Sequence, residues 1–224
     1  MRDSVYFRDE LRRRFPVAAA QLCEEIDARY RAIAPDIAFA RRSSNPMDRR
    51  LDFCSYFLAT IQVLERHGEN AETIRETCLA VTRAYVQPRN AWQRWLKRLP
   101  AKLMGTPIAA LMARVMQAKT GRKGHDDGFL VQIVTSPSQT NGLGYGFDIL
   151  ECGIVKLFQK HGAAQYVTVL CEVDELTSAL AGLELVRGGT LARRGVLRFP
   201  VSPPGVEAMR RGAPVPPRGL AYQV

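Results

Sequence analysis

The sequence predicts an α+β protein: a helical N-terminal half followed by a small antiparallel sheet with packed helices. Three observations carry this expectation. Through residues 1–120 apolar side chains recur at spacings of three and four, the period of helices that bury one face. Residues 129–135, FLVQIVT, are rich in aromatic and β-branched side chains, which suit a pleated strand. Between them TGRKGHDDG, from Thr120, is polar and glycine-rich, so residues 121–128 read as an exposed, mobile linker.

The helical half divides at its turn residues. Pro16 opens a helix through about Ile33, because proline fits the first turn. Asn45-Pro46 signals a cap and first turn, and Gly68, after His67, ends that helix. Inside it Leu51, Cys54, Phe57, Leu58, Ile61 and Leu64 form one apolar stripe. Asn70 caps a third helix carrying Ile74, Cys78, Val81 and Tyr85, which Pro88 stops. Two shorter helical pieces follow, broken at Pro100 and at Gly105-Thr106-Pro107.

Residues 129–199 form the α+β region. After the strand, SPSQTNGLGYG reads as a loop. FDILECGIVKLFQKHG reads as a helix with Phe147, Leu150, Ile154, Leu157 and Phe158 on one face and Gly162 after its end. QYVTVLCEVDELTSALAG reads as a second helix, although its first half is β-branched. LELV and TLARRGVLRF read as paired strands. From Pro200 the composition changes: residues 200–224 hold six of the 13 prolines and no periodicity, which predicts a disordered tail.

Composition narrows the function classes. The start, MRDSVYFRDELRRRF, is charged throughout, unlike a secretory leader, and no apolar run has the length of a membrane span. The five cysteines (Cys23, Cys54, Cys78, Cys152, Cys171) are an odd, scattered set without CxxC spacing. That pattern suits free thiols in a reducing, cytoplasmic setting rather than a disulfide scaffold or structural zinc. The net charge of +10 is uneven: residues 89–124 hold nine Lys or Arg and no Asp or Glu. Such a block attracts phosphate backbones or anionic membranes, yet it also describes a solvated helix face. No nucleic-acid-binding signature accompanies it, so no nucleic-acid partner is expected.

The chemistry-bearing candidates cluster late in the chain. On a helix Cys171 and Asp174 share a face, and Asp148 and Cys152 would share one in the same way. A thiol beside a carboxylate suits nucleophilic attack or water activation. Cysteine is equally at home as a small buried hydrophobe. His67 and His161 each precede a glycine at a helix end, where a cation favours the last carbonyls, and His125 falls in the linker. HExxH, GxSxG and P-loop motifs are absent, and GLGYG lacks dinucleotide-fingerprint spacing.

Residues 145–195 carry a resemblance. Phe147, Asp148 and Cys152, then Leu170, Cys171 and Asp174, then Arg187, Thr190, Leu191 and Ala192 resemble the signature region of the L-2-amino-thiazoline-4-carboxylic acid hydrolase family, and NPMDRRL (45–51) is similar to its helical half. The resemblance implies opening of a cyclic amidine carboxylate. Asp174 is then expected as base or amidinium partner, Cys171 or Cys152 as nucleophile, and Arg187 as clamp for the substrate carboxylate. Asp148, Tyr145 and Asn141 complete the implied substrate-binding set. No cofactor is expected, and metal requirement and oligomeric state stay open. The segment ending in paired strands also resembles ligand-binding domains named after vinyl reductase, which implies a non-catalytic binding or sensor module as the alternative.

The resemblance departs at the C-terminus. After a segment like TLARRG the family pattern has a Cys-Asp-Phe-Arg strand, whereas here Gly195 is followed by VLRFPV. Codons GTG CTG CGA TTT CCG encode Val196 to Pro200; read one base later, the same bases give Cys-Cys-Asp-Phe and then Arg. The hypothesis is that residues from about 195 onward are a one-base frameshift product, which would leave this chain impaired. Sequencing the coding DNA should reveal Cys-Asp-Phe-Arg in the shifted frame; any other reading there ends the idea.

Overall fold

A computed structural model of the chain describes residues 3–87, 106–134, 146–180, 184–185 and 201–202. Within these it is an α+β protein, helical in its N-terminal half, with a two-stranded antiparallel sheet and further helices behind it. Four helices open the chain: α1 (Ser4–Arg14), α2 (Ala19–Ile33), α3 (Arg50–Arg66) and α4 (Ala71–Val86), with a 3-10 segment (Ala34–Arg41) extending α2. Helix α5 (Pro107–Thr120) leads to strands β1 (Leu130–Val134) and β2 (Gly146–Glu151). Helices α6 (Gly153–Lys160) and α7 (Val167–Leu180) follow, and a short second ribbon pairs β3 (Glu184–Leu185) with β4 (Val201–Ser202).

Helix α3 is the hub. The expected stripe is buried in full, and so are Tyr56, Ala59, Thr60 and Val63 on the other faces. A helix apolar on most faces belongs inside a bundle, and α1, α2, α4 and α6 surround this one. Phe7 of α1 sets its ring edge against Tyr56 and Phe57 at centroid distances of 4.7 and 4.8 Å. Interior threonines avoid stranded hydroxyls by bonding the preceding turn: Thr60 donates to the Tyr56 carbonyl and Thr82 to that of Cys78. Asn70 caps α4 as expected, its side-chain oxygen accepting the Thr73 N–H at 2.8 Å.

Asn45 does something different from capping α3. Its Oδ1 accepts the Met47 N–H in a tight turn, so the helix begins only at Arg50. Its Nδ2 donates to the Phe129 carbonyl at 2.8 Å, and Asp48 Oδ1 accepts the Phe129 N–H, also at 2.8 Å. Both side chains are fully buried. Together they grip both peptide groups of the residue that leads into β1. Ser43 steadies the grip by donating to Asp48 Oδ2. Gly128 must be glycine here, since a Cβ would lie 2.8 Å from Asp48 Oδ1 and 3.0 Å from Oδ2.

Of the linker expected over 121–128, residues 122–127 are exposed, whereas Gly121 is only partly exposed and Gly128 is buried. His125 within them is not simply solvated: its ring stacks on Phe39 at 3.9 Å, and its Nδ1 accepts the Asp127 N–H. Phe129, Val131, Ile149, Leu157 and Phe158 join the same buried cluster as α1 to α4, so one core runs through both sides of the linker.

One expected helix is half strand. FDILE pairs with LVQIV in antiparallel register, Val131 opposite Ile149 and Gln132 opposite Asp148. The helical stripe therefore breaks: Leu150 is 45% exposed while Leu157 and Phe158 are buried. The reason is backbone satisfaction. A lone β1 would leave its peptide groups unpaired at the edge of the core, and FDILE is the nearest segment able to supply the ladder. Cys152 then turns the chain from strand to helix with extended backbone, φ −112° and ψ 113°. Of the expected strand LELV, Glu184 and Leu185 pair with Ser202 and Val201, while the expected partner TLARRGVLRF lies outside the described residues. Two residues of the expected disordered tail are thus strand. Residues 186–200 and 203–224, like the helical piece before Pro100, lie outside the described residues.

Asp48→Ala should remove about 2–3 kcal/mol of stability, because the buried Phe129 N–H loses its acceptor. Urea unfolding is the measurement, with the exposed Asp126→Ala as control. Equal midpoints for the two variants would show that the grip on Phe129 is dispensable.

Candidate active site

Four helices, α3, α4, α6 and α7, and the end of β2 meet around two adjoining cavities. The smaller, of about 40 Å³, is lined by Cys152 from the β2–α6 junction, by Cys171 and Asp174 one turn apart on α7, and by Arg50 from the start of α3. Its remaining wall is apolar, including Phe129, Ile149 and Leu170. The larger, of about 340 Å³, shares Arg50, Ile154, Leu170 and Asp174 with it and extends toward Arg49, Asp52, Phe53 and Tyr85. The small space suits a water or two, whereas the larger falls in the range of small-molecule sites.

Arg50 and Asp174 form the charged part of the shared wall. The guanidinium lies 3.7 Å from the carboxylate, and the two side chains are 58% and 38% exposed. That separation exceeds a good hydrogen bond, and a pair so exposed holds loosely. Arg50 can therefore change partners when another carboxylate arrives.

The thiols sit in a different electrostatic setting. Burial pushes the Cys152 thiol up to about 11, against the opposing pull of the Val155 and Ile154 N–H groups at the start of α6; Cys171 and Asp174 nearby add to the rise. At neutral pH Cys152 is a protonated thiol. Burial likewise raises Cys54, which lines the larger cavity, and raises Cys78 to about 12. Cys78 belongs to the core cluster.

The other expected residues fall elsewhere. Asp148 does not share a helical face with Cys152: it lies on β2, is buried, and lines neither cavity. The helical spacing assumed for that pair fails because the segment is strand. Asn141, Tyr145 and Arg187 lie outside the described residues. His67 and His161 are C-caps of α3 and α6. His161 also bonds Asp36 through Nε2 at 2.9 Å and meets Arg29 through Nδ1 at 3.3 Å, a structural tie between α6 and the helical half. Among the described residues no group of three His, Cys, Asp or Glu side chains is arranged to hold a metal ion.

Arg50 is the residue that the sequence left unmarked. It stands beside Arg49 inside NPMDRRL, and only the approach of Asp174 from α7 singles it out. No family model, curated protein or solved structure matches the chain.

The state of Cys152 is directly measurable. Its alkylation by iodoacetamide, followed by mass spectrometry of the Cys152 peptide, should be slow at neutral pH and climb with a midpoint near 11. A midpoint below neutral would instead identify a standing thiolate.

Proposed function

We propose that the chain is a hydrolase for a small cyclic amidine bearing a carboxylate, of the 2-amino-thiazoline-4-carboxylate kind. The observation that carries this reading is the meeting of an acid, two thiols and an arginine at one cavity wall. The resemblance of residues 145–195 to the thiazoline hydrolase family supports the substrate class, and the larger cavity offers the volume.

The chemistry follows from what each group can hold. Water adds to the amidine carbon, forming a C–O bond. Asp174 accepts the proton of that water, and its negative charge also favours the amidinium. The ring sulfur leaves the same carbon as a thiolate and is then protonated, giving a carbamoyl-cysteine. Arg50 exchanges Asp174 for the substrate carboxylate, which frees Asp174 to act as base at the moment substrate is seated. Because Cys152 is protonated at rest, water is favoured over the Cys152 thiolate as nucleophile. Arg187 remains a second proposed clamp.

A second reading, a binding or sensor module without catalysis, draws support from the apolar walls of the larger cavity, Phe53, Phe57 and Val173 among them. Turnover of a panel of thiazoline and cyclic amidine carboxylates, with and without chelator, separates the two. The hydrolase reading expects turnover, a loss of about a hundred-fold or more in kcat for Asp174→Asn, and a rise of roughly ten-fold in KM for Arg50→Met. Undiminished turnover by Asp174→Asn removes Asp174 as base. Saturable binding without turnover selects the module.

A further inference from the structure

Helix α5 has two sides of opposite character. Its inner side meets β1: Gln117 Oε1 accepts the Ile133 N–H at 2.5 Å, and Thr120 is buried. Its outer side carries Ile108, Leu111, Met112 and Val115, at 59%, 63%, 59% and 49% exposure. These positions follow the i, i+3, i+4, i+7 rule and form one continuous apolar stripe. Half of the eight large exposed hydrophobics among the described residues lie on this one helix face. Scattered exposed hydrophobics need no explanation, but a contiguous set marks an interaction surface.

Charge indicates the partner. Arg114 flanks the stripe, Lys119 lies one turn beyond Val115, and Arg122 follows; all three are exposed. Helix α5 contains no acidic residue, and neither does the rest of 89–124. A second copy docked stripe to stripe would pair two helices that both carry basic side chains, with no acidic residue on either helix to answer them. Nucleic acid would use the cations and leave four large apolar side chains in water. An anionic bilayer surface satisfies both halves: apolar side chains enter the acyl boundary, and lysine and arginine stems reach back to the headgroups. No helix of the described residues is long and apolar enough to cross a membrane, so α5 would lie on the surface rather than span it.

We propose that the outer face of α5 docks the protein on anionic lipid surfaces, with Ile108, Leu111, Met112 and Val115 inserted and Arg114 and Lys119 at the phosphates. This stands apart from the hydrolase reading and survives its failure.

Vesicle co-sedimentation of the full chain tests it, with phosphatidylcholine alone against phosphatidylcholine containing about a third phosphatidylserine. Binding is expected to the anionic vesicles only, falling as salt rises from roughly 0.1 to 0.5 M. Leu111→Asp with Met112→Asp should weaken it by about thirty-fold or more. Arg114→Glu with Lys119→Glu should weaken it by about ten-fold or more. Both pairs lie outside the core, so circular dichroism and urea midpoints should match the parent. Absence of binding to anionic vesicles overturns the proposal, as does binding that either double variant retains in full. A solution dimer abolished by Leu111→Asp with Met112→Asp would overturn it in favour of self-association. RNA binding without vesicle binding would overturn it in favour of a nucleic-acid surface.

Discussion

Asn45 and Asp48 hold one residue of a distant segment, Phe129, by both its backbone N–H and its carbonyl, and much of the structure is placed by that hold. Fixing the Phe129 backbone fixes where β1 starts, and the antiparallel ladder then fixes β2. The end of β2 sets the position of Cys152 and the first turn of α6. Helix α6 packs on α3, and α7 follows with Asp174 facing Arg50. Fully buried polar side chains are costly unless paired, and these two are paired to backbone groups that also need partners. The arrangement specifies position in a way that apolar contact cannot, because it tolerates neither a register slip nor a rotation.

The candidate site inherits this placement. Its charged wall, Arg50 and Asp174, is half open to solvent and weakly held, while the Cys152 thiol is shielded. The shielding keeps the proton on the Cys152 sulfur, and the openness lets a carboxylate compete for Arg50. A site with the opposite distribution, a buried ion pair and exposed thiols, would resist substrate exchange and invite oxidation.

What could be read from the sequence depended on the range of the interaction. The α3 stripe from Leu51 to Leu64, the Asn70 cap and strand β1 were legible because their signals lie within a few neighbouring residues. The pairing of Cys171 with Asp174 was legible for the same reason, one turn of one helix. FDILE was misread because Phe147, Leu150 and Ile154 fit a helical period, whereas the choice falls to β1, which needs a partner. Asn45 was read as a cap when half of its bonding reaches Phe129. Arg50 could not be distinguished from Arg49 without knowing where α7 lies.

The grip on Phe129 also bears on how the chain folds. Its two bonds join positions 84 and 81 residues apart, whereas the helices that receive them close over single turns. Local contacts form early and distant ones must first meet the entropy of closing the intervening chain. On the ribosome, synthesis runs at about 5–20 residues per second, so the α1 to α4 segment is made several seconds before Phe129. During that interval Asn45 and Asp48 face water, and the flank of α3 that later seats Phe129 and Phe158 is uncovered. The nascent protein therefore passes through a stage in which its best-packed helix shows a sticky side, a natural point of engagement for a chaperone that binds apolar surface.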